Sequence, residues 1–156
     1  MGMIRRTFLK GIGAGGVMTA AFAAGILKPG QVFAAQAWNR AAFEAKEMGA
    51  ALSALGVASA ADSKDIVLTA PEVAENGAVV PLGVLSNIPN TVSIVILSLK
   101  NPQPLLASFN FSNGGLPDVQ LRVRLAETTN VRAIIKTADG KFFSAQKEVK
   151  VTAGGC

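Results

Sequence analysis

The chain contains no histidine and no tyrosine, and only one tryptophan and one cysteine among its 156 residues. Without imidazole, neither a Ser-His-Asp triad nor a Cys-His dyad can be assembled from this chain alone. The same lack removes His-rich zinc sites and histidine-ligated haem, so no metal and no cofactor are expected. A single thiol cannot staple its own chain; in an oxidising compartment it pairs with another molecule, carries a group or stays free. The carboxylate pairs Glu44/Glu47 and Glu72/Glu75 remain for acid-base work, but their helix-face and loop settings read as solvated side chains. The glycines from Gly11 to Gly16 have no strand before them, which a phosphate-binding loop requires.

What is present is organised from the start of the chain. Ile4-Arg5-Arg6-Thr7-Phe8-Leu9-Lys10 sets two arginines before a Gly/Ala-rich stretch running to Leu27, and small residues follow around Val32 to Ala37. This resembles a twin-arginine export signal. The apolar stretch falls short of about 18 residues and carries Gly13, Gly15, Gly16 and Gly25, so it does not read as a permanent membrane anchor. Removal is expected after Ala35, with Ala34 and Ala37 as neighbouring alternatives, giving a periplasmic mature protein. The twin-arginine resemblance implies a protein folded before export, and with no cofactor ligands the reason is expected to be a partner acquired in the cytoplasm.

Net charge supports this division. The formal charge is +5, but Arg5, Arg6, Lys10 and Lys28 lie in the leader, leaving 11 basic against 10 acidic side chains. The mature part is near neutral, and nucleic acid is not an expected partner. Its charge is uneven: from residue 119 onward seven basic residues (Arg122, Arg124, Arg132, Lys136, Lys141, Lys147 and Lys150) face three acidic ones. Attraction of an anionic cargo and an ordinary hydrated sheet face both account for this asymmetry.

After the leader, Trp38, Ala42, Ala45, Met48, Leu52 and Leu55 recur at steps of three and four, which predicts an amphipathic helix within a segment 36–62. From Ser63 the rhythm changes to short apolar runs: 65–68, 79–85, 91–99, 105–111, 118–125, 131–137 and 141–151. Turn chemistry separates them at Asn76-Gly77, Asn87-Ile88-Pro89-Asn90, Asn101-Pro102-Gln103-Pro104, Asn113-Gly114-Gly115 and Asp139-Gly140. The last of these predicts a two-residue hairpin. Val119, Leu121, Val123 and Leu125 alternate with polar residues, as in a strand wet on one face, whereas Ile94 to Leu97 is apolar on both parities, as in a strand covered on both. About seven short strands predict an all-β fold, an immunoglobulin-like antiparallel β-sandwich over residues 63–151.

The only cysteine is Cys156, behind Ala153, Gly154 and Gly155. That run offers almost no apolar surface for tying the chain down, so 152–156 is expected to be a flexible arm. Beyond Val151 its five positions span at most roughly 17 Å, enough to enter a narrow active site. Nothing in Ala-Gly-Gly lowers the thiol pKa from about 8.5, so activation would come from a receiving pocket, and alkylation at neutral pH is expected to be slow. Covalent carriage of a group is the favoured use of this sulfur. Crosslinking within a non-catalytic periplasmic assembly subunit is the alternative.

Four stretches, together with the leader, resemble the SoxY family of sulfur carriers of periplasmic thiosulfate oxidation. They are Ala70-Pro71-Glu72-Val73-Ala74-Glu75-Asn76-Gly77-Ala78-Val79-Val80-Pro81, Asn101-Pro102-Gln103-Pro104-Leu105, Arg122-Val123-Arg124-Leu125-Ala126-Glu127 and Val149 to Cys156. The family's cysteine lies in Gly-Gly-Cys-Gly-Gly, of which Gly154, Gly155 and Cys156 are present here. The resemblance implies that the chain is no enzyme but a substrate of pathway enzymes. A haem-containing enzyme would conjugate thiosulfate to Cys156, and a dinuclear-metal hydrolase would release sulfate. It also implies a heterodimer with SoxZ, a second small β-sandwich subunit.

Overall fold

The structure, a computed structural model, describes residues 38–112 and 114–155. Strand content follows the apolar runs closely. In chain order the described elements are helices α1 (Arg40–Glu44) and α2 (Met48–Ala54), then strands β1 (Ala61–Asp62), β2 (Ile66–Thr69), β3 (Val73–Ala74), β4 (Val80–Ser86) and β5 (Thr91–Ser98), followed by β6 (Leu105–Asn110), β7 (Asp118–Val123), β8 (Thr129–Thr137) and β9 (Phe142–Val151). One sheet runs β1-β9-β8-β5-β6, with β3 also pairing on β9; the second is β2-β4-β7. The long strands pair antiparallel, while the two-residue β1 and β3 join β9 in parallel. The fold is an all-β sandwich, as turn spacing predicts.

Period-two alternation explains how the layers meet. Ile94 and Ile96 of β5, with Ala133 and Ile135 of β8, point into the interior against Val80, Leu82 and Val84 of β4 and Val119 and Val123 of β7. The other parity, Val95 and Leu97 with Ile134, faces out of the sheet but is buried beneath the helices, with Ala42 and Ala51 fully covered. The run Ile94 to Leu97 is therefore apolar on both parities because both faces are roofed, one by the second sheet and one by α1 and α2.

The single predicted helix is two short ones. Asn39 accounts for the break: its Oδ1 accepts from the Ala42 N–H at 3.1 Å, capping α1, and its Nδ2 donates to the Ala54 carbonyl at 2.7 Å. In one straight helix these positions would stand about 22 Å apart. Ala45 turns to extended geometry instead, and the chain folds back over the sheet. After α2, Gly56 takes φ +72, and the Gly56 and Val57 amides bond back to Ser53 and Leu52, a Schellman closure. The sheet also begins earlier than expected, since β1 lies within the stretch read as a connection.

The turn predicted as a two-residue hairpin has three residues. Thr137 N–H bonds Lys141 O, and Gly140 N–H bonds Thr137 O, with Gly140 at φ +83. That is a type I turn closed by a left-handed glycine, the common three-residue hairpin. Among the described residues, no helix is long and apolar enough to cross a membrane.

Candidate functional site

The C-terminal arm leaves the sandwich from β9, the longest strand. Val149 is fully buried and Val151 packs on the same interior, so the strand is anchored until its last residue. Along one edge, β3 accompanies its end: Lys150 N–H donates to Glu72 O, and Val73 and Ala74 register with Lys150 and Val151. On the other side Val151 N–H donates to the Thr128 hydroxyl at 3.0 Å.

Beyond Val151 the chain does not stand free in this structure. Thr152 N–H donates to Ala74 O at 3.1 Å, and its hydroxyl to Glu75 O at 3.3 Å. Ala153 O accepts from Gly77 N–H at 2.8 Å, and Gly155 N–H donates to Leu125 O at 3.0 Å. Leu125 N–H in turn donates to Gly77 O at 2.7 Å, tying the two supporting segments together. The expectation of an untethered arm considered apolar anchors; the tether is made by backbone groups, which every residue possesses.

Three glycines make this approach possible. A Cβ on Gly77 would meet Leu125 O and stand 2.8 Å from Gly155 N, and one on Gly154 would stand 2.5 Å from Ala126 O. A Cβ on Gly155 would collide with the Gly77–Ala78 peptide itself. Gly77 is buried, and Asn76 shapes its turn by accepting the Ala78 N–H at 2.9 Å. The sequence marks Asn76-Gly77 as a turn within a stretch resembling the family, without indicating its contact with the arm.

Asn101, in a second turn that shares in the resemblance, has a partner the sequence does not announce. Its Nδ2 donates to Arg124 O at 2.7 Å, and its Oδ1 accepts from Ala126 N–H at 3.0 Å. The side-chain amide thus pairs with one edge of residues 124–126 as a neighbouring strand would, leaving the Leu125 N–H and C=O on the opposite edge for Gly77 and Gly155. Ser98 Oγ donates to the same Asn101 Oδ1 at 3.2 Å. All four stretches that carry the sequence resemblance therefore converge on the base of the arm. Cys156, and Arg5 and Arg6 of the leader, lie outside the described residues.

The basic residues of the C-terminal half do not form one field. Arg122 and Arg124 are exposed beside the three-stranded sheet, while Arg132 and Lys136 lie on the outer parity of β8. Arg132 donates to Ser144 Oγ at 3.0 Å, Lys147 Nζ to Ala70 O at 2.7 Å, and Lys136 stands 5.7 Å from the Phe142 ring centroid. Lys141 pairs with Asp139 at 2.8 Å. That ammonium, with the Thr137 hydroxyl, holds the Asp139 carboxyl down to about 2. Glu44 is spent on an exposed pair with Arg40 at 2.6 Å, whereas the backbone carbonyl of Glu72 holds the end of β9 through Lys150 and that of Glu75 holds the arm through Thr152.

Residues 52–156 match the family model described as sulfur oxidation protein SoxY. Among solved structures, the sulfur carrier protein SoxY from Chlorobium limicola f thiosulfatophilum is similar at 37% sequence identity and TM-score 0.61, over 68% of this chain and 96% of that one. A superoxide reductase (neelaredoxin) from Ignicoccus hospitalis is similar at 23% identity and TM-score 0.50, over 55% of this chain and 79% of that one, a likeness of fold alone. No curated protein matches the chain.

Proposed function

The chain belongs to the SoxY family of sulfur oxidation proteins, and from that membership we propose that it carries thiosulfate-derived sulfur as a covalent adduct on Cys156. Conjugation joins the Cys156 thiol to the outer sulfur of thiosulfate, forming one S–S bond. The thiol proton leaves, and two electrons pass to the haem-containing enzyme that receives the arm. The product is cysteine S-thiosulfonate. Water then attacks the terminal sulfonate sulfur in the dinuclear-metal hydrolase, releasing hydrogen sulfate and leaving the persulfide on Cys156. Between these steps the chain's part is to supply the sulfur and present it. The protein works in the periplasm after twin-arginine export, as a heterodimer with a small β-sandwich partner of the SoxZ kind.

The observation that carries this reading is the arm itself. The only thiol of the chain follows Gly154-Gly155 at the end of a strand anchored by Val149 and Val151. Such a thiol can be delivered without unfolding the sandwich. A mass spectrum of the C-terminal peptide from cells grown on thiosulfate is expected to contain thiosulfonate and persulfide adducts on Cys156. A Cys156→Ser strain is expected to lose both adducts and thiosulfate consumption. If the serine strain consumes thiosulfate normally, the carrier reading is wrong and an assembly role would account for the protein.

A further inference from the structure

The arm meets the sandwich through a contact that admits only glycine at three positions, 77, 154 and 155. Thr152, Ala153 and Gly155 use main-chain groups to bond Ala74, Gly77 and Leu125, and no apolar side chain of the arm is buried in doing so. Gly77 from the sandwich and Gly154 and Gly155 from the arm are each opposed by backbone atoms where a Cβ would sit. Such a contact is specific in shape and weak in burial, a combination suited to repeated opening.

We propose that residues 74–78 and 124–126 form a docking slot for the glycine tail, with Asn101 as its positioning residue, so that the arm alternates between a docked and a released position. The role follows from reach, and this part rests on the carrier reading. While docked, Gly155 is held to Leu125 O, and residue 156 can extend only about 3.6 Å from the sandwich. Released from Val151 onward, the same residue reaches roughly 17 Å. Partners with deep sites therefore receive cargo only from the released arm, and the docked arm keeps it close to the carrier between visits. Asn101 sets the balance by aligning residues 124–126 so that Leu125 O faces the arm.

Amide hydrogen exchange on the purified full chain, with any partner it retains, tests the slot without reference to sulfur chemistry. In the unaltered protein the Gly77 and Gly155 amides are expected to be protected. Gly154→Ala and Gly155→Ala, which alter only the arm, should each speed exchange at Gly77 roughly fivefold or more while the β8 amides stay unchanged. Gly77→Ala should expose the Gly155 amide by a similar factor from the opposite wall. Asn101→Ala should do the same, with Asn101→Asp intermediate because it keeps the acceptor for Ala126 N–H. Gly49→Ala, whose Cβ meets nothing within 4 Å, should leave both amides unchanged. Unprotected Gly77 and Gly155 amides in the unaltered protein, or arm variants that leave Gly77 protection intact, would overturn the slot. Loss of Cys156 adducts alone would instead count against the carrier function, so the two failures are separable.

Discussion

At the scale of single residues, the polar side chains that matter work by substituting for backbone. Asn101 stands in for a missing strand beside residues 124–126, and Asn39 caps one helix while holding the end of the next. Removing Asn101 leaves the Ala126 N–H and Arg124 C=O without these partners, so Asn101→Ala should cost about 1–3 kcal/mol in urea denaturation. Asp139 supplies the pH-dependent case. Its carboxyl is held near 2 by Lys141 and Thr137, below its ordinary 3.8, so the ionised form is favoured in the folded state. The resulting stabilisation is complete above the unfolded value and is lost as pH falls through about 2. Because the group is fully exposed, the check is its own titration: a carboxyl carbon NMR midpoint near 2, moving up toward 3.8 in Lys141→Ala.

Elements differ in what holds them. β5 is clamped between β8 and β6 and roofed on both faces, so Ile96→Ala should destabilise the protein by about 2–5 kcal/mol, read as a lowered denaturation midpoint. The helices rest on the outer face of that sheet through Ala42 and Ala51, and Asn39→Ala should loosen α1 by about 0.5–2 kcal/mol. Faster exchange at Ala42 with β8 unchanged is the expected sign. The arm sits at the other extreme. Its four hydrogen bonds contribute about 0.5–1.5 kcal/mol each, against about 1–2 kcal/mol for ordering each of residues 152–155. These opposing sums are of similar size, so the docked arm is held by a margin of only about 1–2 kcal/mol, enough to protect its amides yet readily opened, while β9, one residue earlier, is fixed by burial.

For the whole molecule, the division of labour is between a rigid sandwich and a tail that it briefly holds. Among the described residues no buried polar side-chain atom lacks a hydrogen-bond partner, so the body has little reason to rearrange when the arm moves. The adduct-bearing and adduct-free proteins are accordingly expected to give the same amide spectrum over β4, β5 and β8, with differences confined to residues 74–78, 124–126 and the arm. Much of this architecture could be read directly from the chain. Alternation along Val119 to Leu125, the two-sided run Ile94 to Leu97 and the Asn, Pro and Gly clusters between strands act over a few residues, and local sterics and burial enforce them. The missing imidazoles, the lone thiol and its glycine approach pointed equally locally to a carrier. Other features depended on groups distant in sequence. The helix break at Ala45 follows from Asn39 reaching Ala54, and the seat of the arm joins residue 77 to 125 and 125 to 155. Those joints are made by N–H and C=O groups common to nearly every residue, and by hydrogens where a Cβ would collide. Composition and spacing therefore determined the sandwich and its sulfur-bearing tail, whereas only the folded chain, by bringing main-chain groups of separated segments into register, decided where that tail rests.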